Sequence, residues 1–307
     1  MGARVNPTST GRVAVVTGAA GSIGSAIAAH LAADGARVVL TDRDGAGAER
    51  RAAAIRDAGG DAVAAVCDQT DPGEVDRLFG EVVGDQLDIC VANAGYGRAG
   101  SVLNQDLREW QRHVDVNLTG TFLVCRAAAR TMAAHGRGGS IVINASTAAV
   151  RPCTLFAAYA ASKAGADMFA RCLADELGPL GIRVNTICPG VIQTGMTGPI
   201  LGADGGRAQA VLEAETPLGR VGDPEDVAEA VAFLVGDGAR FITGASILID
   251  GGQTLRGYPR WFVNDDPATP DPQWRIISDP PAPGRAFTAL GRTTSASTSR
   301  TPESSTP

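Results

Sequence analysis

Short apolar runs alternate with alanine-rich or amphipathic stretches from residue 12 to about residue 250. The runs contain few polar positions, which is typical of parallel strands that are covered on both faces. The stretches between them have helical length and spacing. Strands are predicted at residues 13–16, 37–40, 62–67, 87–92, 139–144, 182–187 and 246–250, and helices at 23–33, 46–58, 72–83, 106–134, 157–177 and 224–234. This alternation predicts an α/β fold in which about seven parallel strands form a doubly wound sheet with helices on both faces.

The pattern of strands and helices stops after Gly252, where the composition changes. We expect an N-terminal arm at residues 1–10, one α/β domain at 11–257 and an extension rich in proline, serine and threonine at 258–307. Residues 293–307 are almost entirely Ser, Thr, Pro and Arg, a composition that favours disorder. The aromatic segment 258–262 has two interpretations, docking on the core or surface coil.

Composition and charge narrow the class of protein. Of 307 residues, 44% are hydrophobic and 20% are charged, and the formal net charge is -6, so we expect a soluble protein for which nucleic acid is not the main partner. No apolar run approaches the ~20 residues that span a membrane, so no membrane partner is expected. The six cysteines form no Cys-x-x-Cys pair and are not spaced with the three histidines as in a zinc site, so we predict no metal. Free cysteines and the lack of a signal peptide favour the cytoplasm.

A glycine-rich turn follows the first predicted strand and precedes the first predicted helix. It reads Thr-Gly-Ala-Ala-Gly-Ser-Ile-Gly at residues 17–24. Glycines let the backbone turn tightly and approach a pyrophosphate, whose charge is favoured at a helix N-terminus. We therefore predict a dinucleotide site of the Rossmann type. Its candidate residues are Thr17, Gly18, Gly21, Ser22, Ile23 and Gly24.

Asp42 is the candidate that distinguishes between cofactors. It ends the second strand and follows Gly24 at close to the ~20 residues expected for an acidic residue that binds the adenosine ribose. A carboxylate there repels a 2′-phosphate, so we predict NAD rather than NADP. Arg43 leaves NADP open, because a guanidinium can pair with that phosphate. The two residues can also be interpreted as solvated loop charges.

Tyr159 and Lys163 are candidates for proton transfer. They are four residues apart in a predicted helix, so they share one face. A nearby ammonium stabilises the phenolate and lowers the pKa of a tyrosine toward neutrality. Ser146 follows the fifth predicted strand, at the edge where α/β sites lie, and its hydroxyl could hold a substrate oxygen. Asn117 is a polar residue inside a long predicted helix, where an amide can also be structural.

Taken in order, these motifs resemble those of the short-chain dehydrogenase/reductase family in its common shorter subtype. The resemblance covers residues 11–252, most of the chain. The residues that match the family's glycine motif are Thr17, Gly18 and Gly24. The residues that match its catalytic tetrad are Asn117, Ser146, Tyr159 and Lys163. The spacing between Ser146 and Tyr159 is the one usual in the family.

The resemblance implies further cofactor-binding residues. Asp68 and Gln69 are expected beside the adenine, and the motif after the fourth strand is Asn93, Ala94 and Gly95. The segment expected to meet the nicotinamide contains Pro189, Gly190, Ile192 and Thr194. There the Ile192 backbone and the Thr194 hydroxyl would hold the carboxamide. Two positions depart from the family pattern: Ser22 replaces its middle glycine, which is displaced to Gly21, and Ala92 replaces an asparagine.

The resemblance also implies an activity, the NAD(P)-dependent interconversion of a secondary alcohol and a ketone by hydride transfer. Tyr159 is expected to be the general acid/base, which accepts the alcohol proton in oxidation and returns it in reduction. Lys163 is expected to lower the pKa of Tyr159 and to bind the nicotinamide ribose. Ser146 would orient the substrate oxygen. Asn117 would hold a water that relays protons from Lys163 to solvent.

The substrate side of the site is less well defined by the sequence. Tyr96, Val150, Arg151 and Cys153 are expected to border the pocket, because they flank the glycine at 95 or follow the serine at 146. Arg151 could bind a substrate carboxylate or phosphate, or lie at the surface. Residues 195–215 are expected to form a cap with few fixed charges, which fits a small or medium alcohol or ketone.

Two other functions stay open. One is an NADPH-dependent 3-oxoacyl-thioester reductase that acts on an acyl carrier protein; Arg126, Arg130 and Arg171 leave room for it, although Asp42 and the acidic balance argue against it. The other is a dinucleotide-binding sensor without catalysis, which would have little need of all four tetrad residues. The family also implies a homo-oligomer, either a dimer or a tetramer, and we expect a homotetramer.

Overall fold

Seven strands form one sheet in the residues that the computed structural model describes, which are 11–202 and 206–255. They are β1 (Val13–Thr17), β2 (Arg37–Asp42), β3 (Asp61–Val66), β4 (Leu87–Ala92), β5 (Gly139–Asn144), β6 (Ile182–Pro189) and β7 (Ser246–Ile249). Their order is β3-β2-β1-β4-β5-β6-β7, and neighbouring strands are parallel. The predicted Rossmann-type sheet is thus confirmed. The expected N-terminal arm and the extension at 258–307, with its aromatic segment, lie outside the described residues.

Helices connect these strands and cover both faces of the sheet. They are α1 (Ser22–Ala33), α2 (Gly45–Asp57), α3 (Pro72–Arg77), α4 (Leu107–Val114), α5 (Thr121–His135), α6 (Ala157–Leu177), α7 (Gly198–Leu201), α8 (Arg207–Glu215) and α9 (Pro224–Val235). Several begin at aspartates whose side chains accept a backbone N–H of the first turn, as Asp106 does from Glu109 at 2.7 Å. Such caps stabilise a helix end that would otherwise leave N–H groups unpaired. No helix among the described residues is both long and apolar enough to cross a membrane.

Side chains of the central strands alternate between two apolar cores. In β1, Val15 belongs to one core and Ala14 and Val16 belong to the other. The first core includes residues of α5 and α6, and the second includes residues of α1 and α9. Because both faces of the sheet are buried, the strands appear in the sequence as continuous apolar runs.

The helix expected at residues 106–134 contains a wider turn. A π-helical turn, Asp115–Gly120, separates α4 from α5. Side chains bond to its carbonyl groups: Gln69 Nε2 donates to Val116 O at 2.8 Å, and Thr121 Oγ1 donates to Asn117 O at 2.9 Å. Sequence periodicity does not distinguish one wider turn from a regular helix, and such turns are frequent at functional sites.

The strand order indicates where along the sheet a ligand would bind. The chain passes from β1 outward to β2 and β3, and then returns to β4 on the other side of β1. A doubly wound sheet opens a crevice at the carboxyl ends of its strands where the order reverses in this way. Thr17, Asp42 and Asn144 are the last residues of β1, β2 and β5. The fold therefore brings polar residues that are distant in the sequence to one edge.

Candidate active site

A cavity of about 1160 Å³ lies at the carboxyl ends of the strands. Three of the four tetrad residues, Ser146, Tyr159 and Lys163, line it. All of the residues expected to bind the cofactor also line it: Thr17, Gly18, Gly21, Ser22, Ile23, Gly24, Asp42, Arg43, Asp68, Gln69, Asn93, Ala94, Gly95, Tyr159, Lys163, Pro189, Gly190, Ile192 and Thr194. The structure thus brings together seven segments of the chain, whereas their roles stay predictions.

The glycine turn is held against the segment that follows β4. The Thr17 hydroxyl oxygen accepts hydrogen bonds from the N–H groups of Asn93 at 3.1 Å and Ala94 at 2.9 Å. Gly18 has a φ of +66°, and a Cβ there would lie 2.7 Å from the Cα of Ala94. A Cβ at Gly24 would lie 2.4 Å from the carbonyl oxygen of Gly18. Close backbone approach therefore requires glycine at both positions.

The N-terminus of α1 has the features of a phosphate-binding helix end. Gly21 caps the helix without a side-chain hydrogen bond, and the first turn contains no acidic residue. Unpaired N–H groups and the helix dipole favour an anion at such an end. Gly21, Ser22 and Ile23 line the cavity. The turn therefore fits the pyrophosphate of a dinucleotide, and Ser22 presents a hydroxyl where the family pattern has glycine.

Asp42 and two arginines lie at the same end of the cavity as the glycine turn. Asp42 Oδ2 accepts a hydrogen bond from Ala20 N at 3.1 Å, and Oδ1 accepts one from Asp44 N at 3.0 Å. These bonds fix the carboxylate beside the turn. Arg43 and Arg51 also line the cavity. The sequence did not single out Arg51, because α2 contains three arginines and the pattern does not show which of them reaches the cavity.

The side chains of Asp68 and Gln69 differ in what they bind. The hydroxyl and N–H of Thr70 donate to Asp68 Oδ1 at 2.7 and 2.9 Å, and these bonds hold the pKa of Asp68 below its ordinary value. Gln69 Nε2 donates to the carbonyl groups of Val116 at 2.8 Å and Ala94 at 3.4 Å. The Gln69 amide therefore supports the π-helical turn, a contact that the sequence did not reveal.

Tyr159, Ser146 and Lys163 form a second group of side chains that lines the cavity. α6 carries Tyr159 and Lys163 one turn apart, and Ser146 follows β5. Burial raises the pKa of Tyr159, and its hydrogen bond with the Ser146 hydroxyl lowers it. Lys163 is 4% exposed, and burial lowers its pKa to about 8. Burial thus acts against the charged form of both groups.

The Lys163 ammonium points to the end of β5, and its expected effect on the pKa of Tyr159 stays a prediction. Lys163 Nζ lies 5.9 Å from the centroid of the Tyr159 ring and donates a hydrogen bond to Asn144 O at 2.6 Å. The Ser146 hydroxyl lowers the pKa of Tyr159 through its hydrogen bond. The spacing of four residues puts the two side chains on one face, whereas the direction of the ammonium is set by the end of β5.

Asn117 lies outside the cavity that the other three tetrad residues line. It is fully buried and does not line the cavity. Its Oδ1 accepts from Tyr96 N at 2.8 Å, and its Nδ2 donates to Tyr96 O at 2.8 Å and to Ser162 Oγ at 2.9 Å. Asn117 thus fixes the loop that passes over Tyr159. The water relay expected of it stays a prediction.

Of the residues expected at the substrate side, the structure brings only Tyr96 to the cavity wall. Val150, Arg151 and Cys153 are exposed and do not line the cavity. The Arg151 guanidinium instead donates to the carbonyl oxygen of Thr254. The physical reason is the short 3₁₀ turn Thr147–Ala149, after which the chain carries these side chains outward.

Four residues of α4 that sequence reasoning missed line the cavity, together with three residues from the start of the expected cap. One group comes from α4 and another from the segment after β6. They are Leu107, Arg108, Gln111, Arg112, Gly195, Met196 and Thr197. The expected cap over residues 195–215 therefore contributes at its start, where a Cβ at Gly97 would lie 3.3 Å from Met196 Sδ and 3.4 Å from Tyr159 Cδ2. Helical periodicity could not reveal the α4 group, because polar residues on an exposed face give the same pattern.

Comparison with known proteins places the chain in a family. A family model described as enoyl-(acyl carrier protein) reductase matches residues 18–254. The 3β-hydroxysteroid dehydrogenase 1 of Eggerthella lenta is 41% identical over 252 residues, which are 81% of this chain and 95% of that protein. The D-threitol dehydrogenase of Mycolicibacterium smegmatis is 40% identical over 251 residues, which are 80% of this chain and 94% of that protein.

A solved structure is also similar. It is a candidate 2-deoxy-D-gluconate 3-dehydrogenase from Agrobacterium tumefaciens with bound NADP, and it is 36% identical with a TM-score of 0.76 over 82% of this chain and 100% of its own. The chain therefore belongs to the short-chain dehydrogenase/reductase family. Its general activity is the NAD(P)-dependent interconversion of secondary alcohols and ketones.

The hydrogen bonds that the Thr17 hydroxyl accepts can be tested without a ligand. Replacing Thr17→Val leaves the Ala94 N–H without its acceptor, so we predict a loss of about 1–3 kcal/mol in the free energy of unfolding. The matched control is Thr186→Val, because the buried Thr186 hydroxyl has no hydrogen-bond partner among the described residues. The control should leave stability unchanged or raise it. Denaturant unfolding measures both variants, and an equal loss in the two would contradict the predicted role of Thr17.

Proposed function

We propose that this protein is an NAD-preferring dehydrogenase of secondary alcohols in which Tyr159 exchanges the proton with the substrate. The observation that supports it most is the placement of Ser146, Tyr159 and Lys163 in the same cavity as the glycine turn. The turn at residues 17–24 would hold the pyrophosphate. When bound, the nicotinamide would supply or take up the hydride, which the protein itself cannot do.

Each side chain near Tyr159 has a proposed task. The Tyr159 phenolate takes the proton of the alcohol during oxidation, and the Tyr159 hydroxyl gives a proton to the carbonyl oxygen during reduction. The Ser146 hydroxyl favours the phenolate through its hydrogen bond and orients the substrate oxygen. Lys163 donates to the ribose that carries the nicotinamide. Asn117 positions the loop at Tyr96, and we retain for it the water relay that the family implies.

The preference for NAD rests on Asp42. Its carboxylate is fixed beside the glycine turn by two backbone N–H groups, where it can accept hydrogen bonds from the adenosine ribose. A 2′-phosphate there would face a fixed negative charge, and juxtaposed like charges cost several kcal/mol. Free cysteines among the described residues suit a reducing cytoplasm. Phe122 and Met168 are exposed apolar residues of α5 and α6, and they suit a homo-oligomer, either a dimer or a tetramer.

A second candidate is an NADPH-dependent reductase of 3-oxoacyl thioesters. Arg43 and Arg51 line the cavity beside Asp42 and could pair with a 2′-phosphate. The description of the matching family model points the same way, because it names an acyl-carrier-protein reductase. The first candidate is favoured because Asp42 is itself fixed in the cavity, and because the curated relatives act on a hydroxysteroid and a polyol. A small or medium secondary alcohol is the proposed substrate class.

Tyr159→Phe tests the proposed proton transfer. The variant keeps the ring and removes the hydroxyl, so kcat should fall by about 10²–10⁴-fold. The affinity for NAD⁺, measured by titration calorimetry, should stay within about twofold of the original. Turnover at the original rate would exclude Tyr159 as the acid/base.

The pH profile tests the role of Ser146. Because the Ser146 hydroxyl lowers the pKa of Tyr159, Ser146→Ala should raise that pKa. Oxidation needs the phenolate, so the acidic limb of kcat/KM for alcohol oxidation should move to higher pH. Ser146→Thr keeps a hydroxyl and is the control; both variants keep Lys163, whose pKa of about 8 titrates in the same range. A limb that moves equally in the two variants would contradict this role.

Asp42→Asn tests the cofactor preference. Loss of the carboxylate removes the repulsion of the 2′-phosphate, so the ratio of kcat/KM for NAD⁺ to that for NADP⁺ should fall by at least about tenfold. Asp44→Asn is the matched control, because Asp44 accepts from Gly47 N at 2.9 Å and does not line the cavity. An original enzyme that already prefers NADP⁺ would count against the first candidate and favour the second.

A further inference from the structure

Two arginines of α4 face the cavity. Arg108 and Arg112 are exposed, and both line the cavity wall. They are four residues apart in the helix, so their side chains share one helix face. Neither of them has a task in the proposed transfer of the proton or the hydride.

The two guanidinium groups have no carboxylate within ion-pair distance among the described residues. Nearby acidic residues have other partners. Glu109 pairs with the Arg98 guanidinium at 3.4 Å, and Asp115 accepts a hydrogen bond from Gln111 Nε2 at 2.8 Å. Asp115 also lines the cavity, but two cations stand there against one anion. This wall of the cavity therefore carries a net positive charge.

Aromatic side chains hold the Arg112 guanidinium in place. Its Cζ lies 4.1 Å from the centroid of the Tyr96 ring, and the centroid of Tyr96 is 4.9 Å from that of the fully buried His113. The His113 ring meets the Tyr159 ring edge to face, with centroids 6.4 Å apart. A guanidinium that rests on an aromatic face retains N–H donors for an anion. These contacts therefore hold such donors in the neighbourhood of Tyr159.

We propose that Arg108 and Arg112 bind a negatively charged group of the substrate. The preferred substrate is then a secondary alcohol that carries an anionic substituent such as a carboxylate. The proposal rests on the proposed function, because it requires that Tyr159 exchanges the proton with an alcohol in this cavity. It narrows the proposed substrate class from secondary alcohols in general to acidic ones.

The substrate is a better source of this anion than the dinucleotide is. The pyrophosphate is assigned to the turn at residues 17–24, and a 2′-phosphate would face the Asp42 carboxylate. Arg151, which the sequence offered for a substrate anion, donates instead to the carbonyl oxygen of Thr254. The arginines of α4 therefore remain as the cations for a charged substrate.

The test compares the oxidation of 3- and 4-hydroxycyclohexanecarboxylate with that of the corresponding carboxamides, which have a similar shape without the charge. The original protein should oxidise at least one acid with about tenfold higher kcat/KM than its amide, the effect of one hydrogen bond to a charged group. Arg112→Gln and Arg108→Gln should each lower this acid-to-amide ratio by about fivefold or more. Arg112→Lys keeps the charge, so it should keep more of the ratio than Arg112→Gln does.

The affinity for NAD⁺ separates a substrate anion from a phosphate of the cofactor. Measured by titration calorimetry, it should stay within about twofold of the original in every variant, which also shows that each variant is folded. Arg98→Gln is the matched control, because Arg98 is an exposed cation that pairs with Glu109 and does not line the cavity. This control should leave the acid-to-amide ratio unchanged.

Three results would overturn the proposal. The first is an original protein that oxidises the acids no better than the amides, and the second is an equal ratio in Arg112→Gln and Arg98→Gln. The third is a loss of NAD⁺ affinity in Arg112→Gln as large as the fall in the ratio, which would assign the arginines to the cofactor. If the original protein oxidises no secondary alcohol with NAD⁺ or NADP⁺, the proposed function fails as well.

Discussion

Lys163 carries its ammonium group into the interior of the protein, where 4% of the residue is exposed. Moving a charge out of water is costly unless polar groups replace the solvent, and the carbonyl of Asn144 does so at 2.6 Å. The compensation is partial, because burial still lowers the pKa of Lys163 to about 8. The end of the cavity that holds Tyr159 therefore depends on the end of β5 staying in place.

The end of β5 is held in turn by the neighbouring strands. Asn144 bonds to Asn93 after β4, and Asn93 bonds to Thr17 at the end of β1. The same edge of the sheet thus supports the phosphate-binding turn and the proton-transfer groups, which are far apart in the sequence. A single dinucleotide that spans the cavity would contact both. Asn117 supports the same region from outside the cavity, since its amide fixes the loop at Tyr96.

Much of this architecture could be predicted from the sequence. A strand that is buried on both faces appears as an apolar run, and a helix that is buried on one face appears as an amphipathic stretch. The glycine turn could be located for a similar reason: Gly18 and Gly24 meet backbone atoms that leave no room for a Cβ. Features that depend on three-dimensional direction could not be predicted. Periodicity and spacing do not show the π-helical turn at Asn117, the outward course of Arg151 or the direction of the Lys163 ammonium. Asn144 gave only a weak signal, a polar residue at the end of an apolar strand.

The central claim is that this cavity carries out alcohol oxidation with NAD⁺. The most direct measurement follows the absorbance of reduced nicotinamide with the purified protein at mildly alkaline pH, with NAD⁺ and NADP⁺ in parallel and a panel of cyclic alcohols, polyols and hydroxysteroids. We predict turnover of at least one secondary alcohol, faster with NAD⁺ than with NADP⁺. Tight binding of NAD⁺ without turnover of any alcohol in the panel, or turnover with NADP⁺ alone, would contradict the claim.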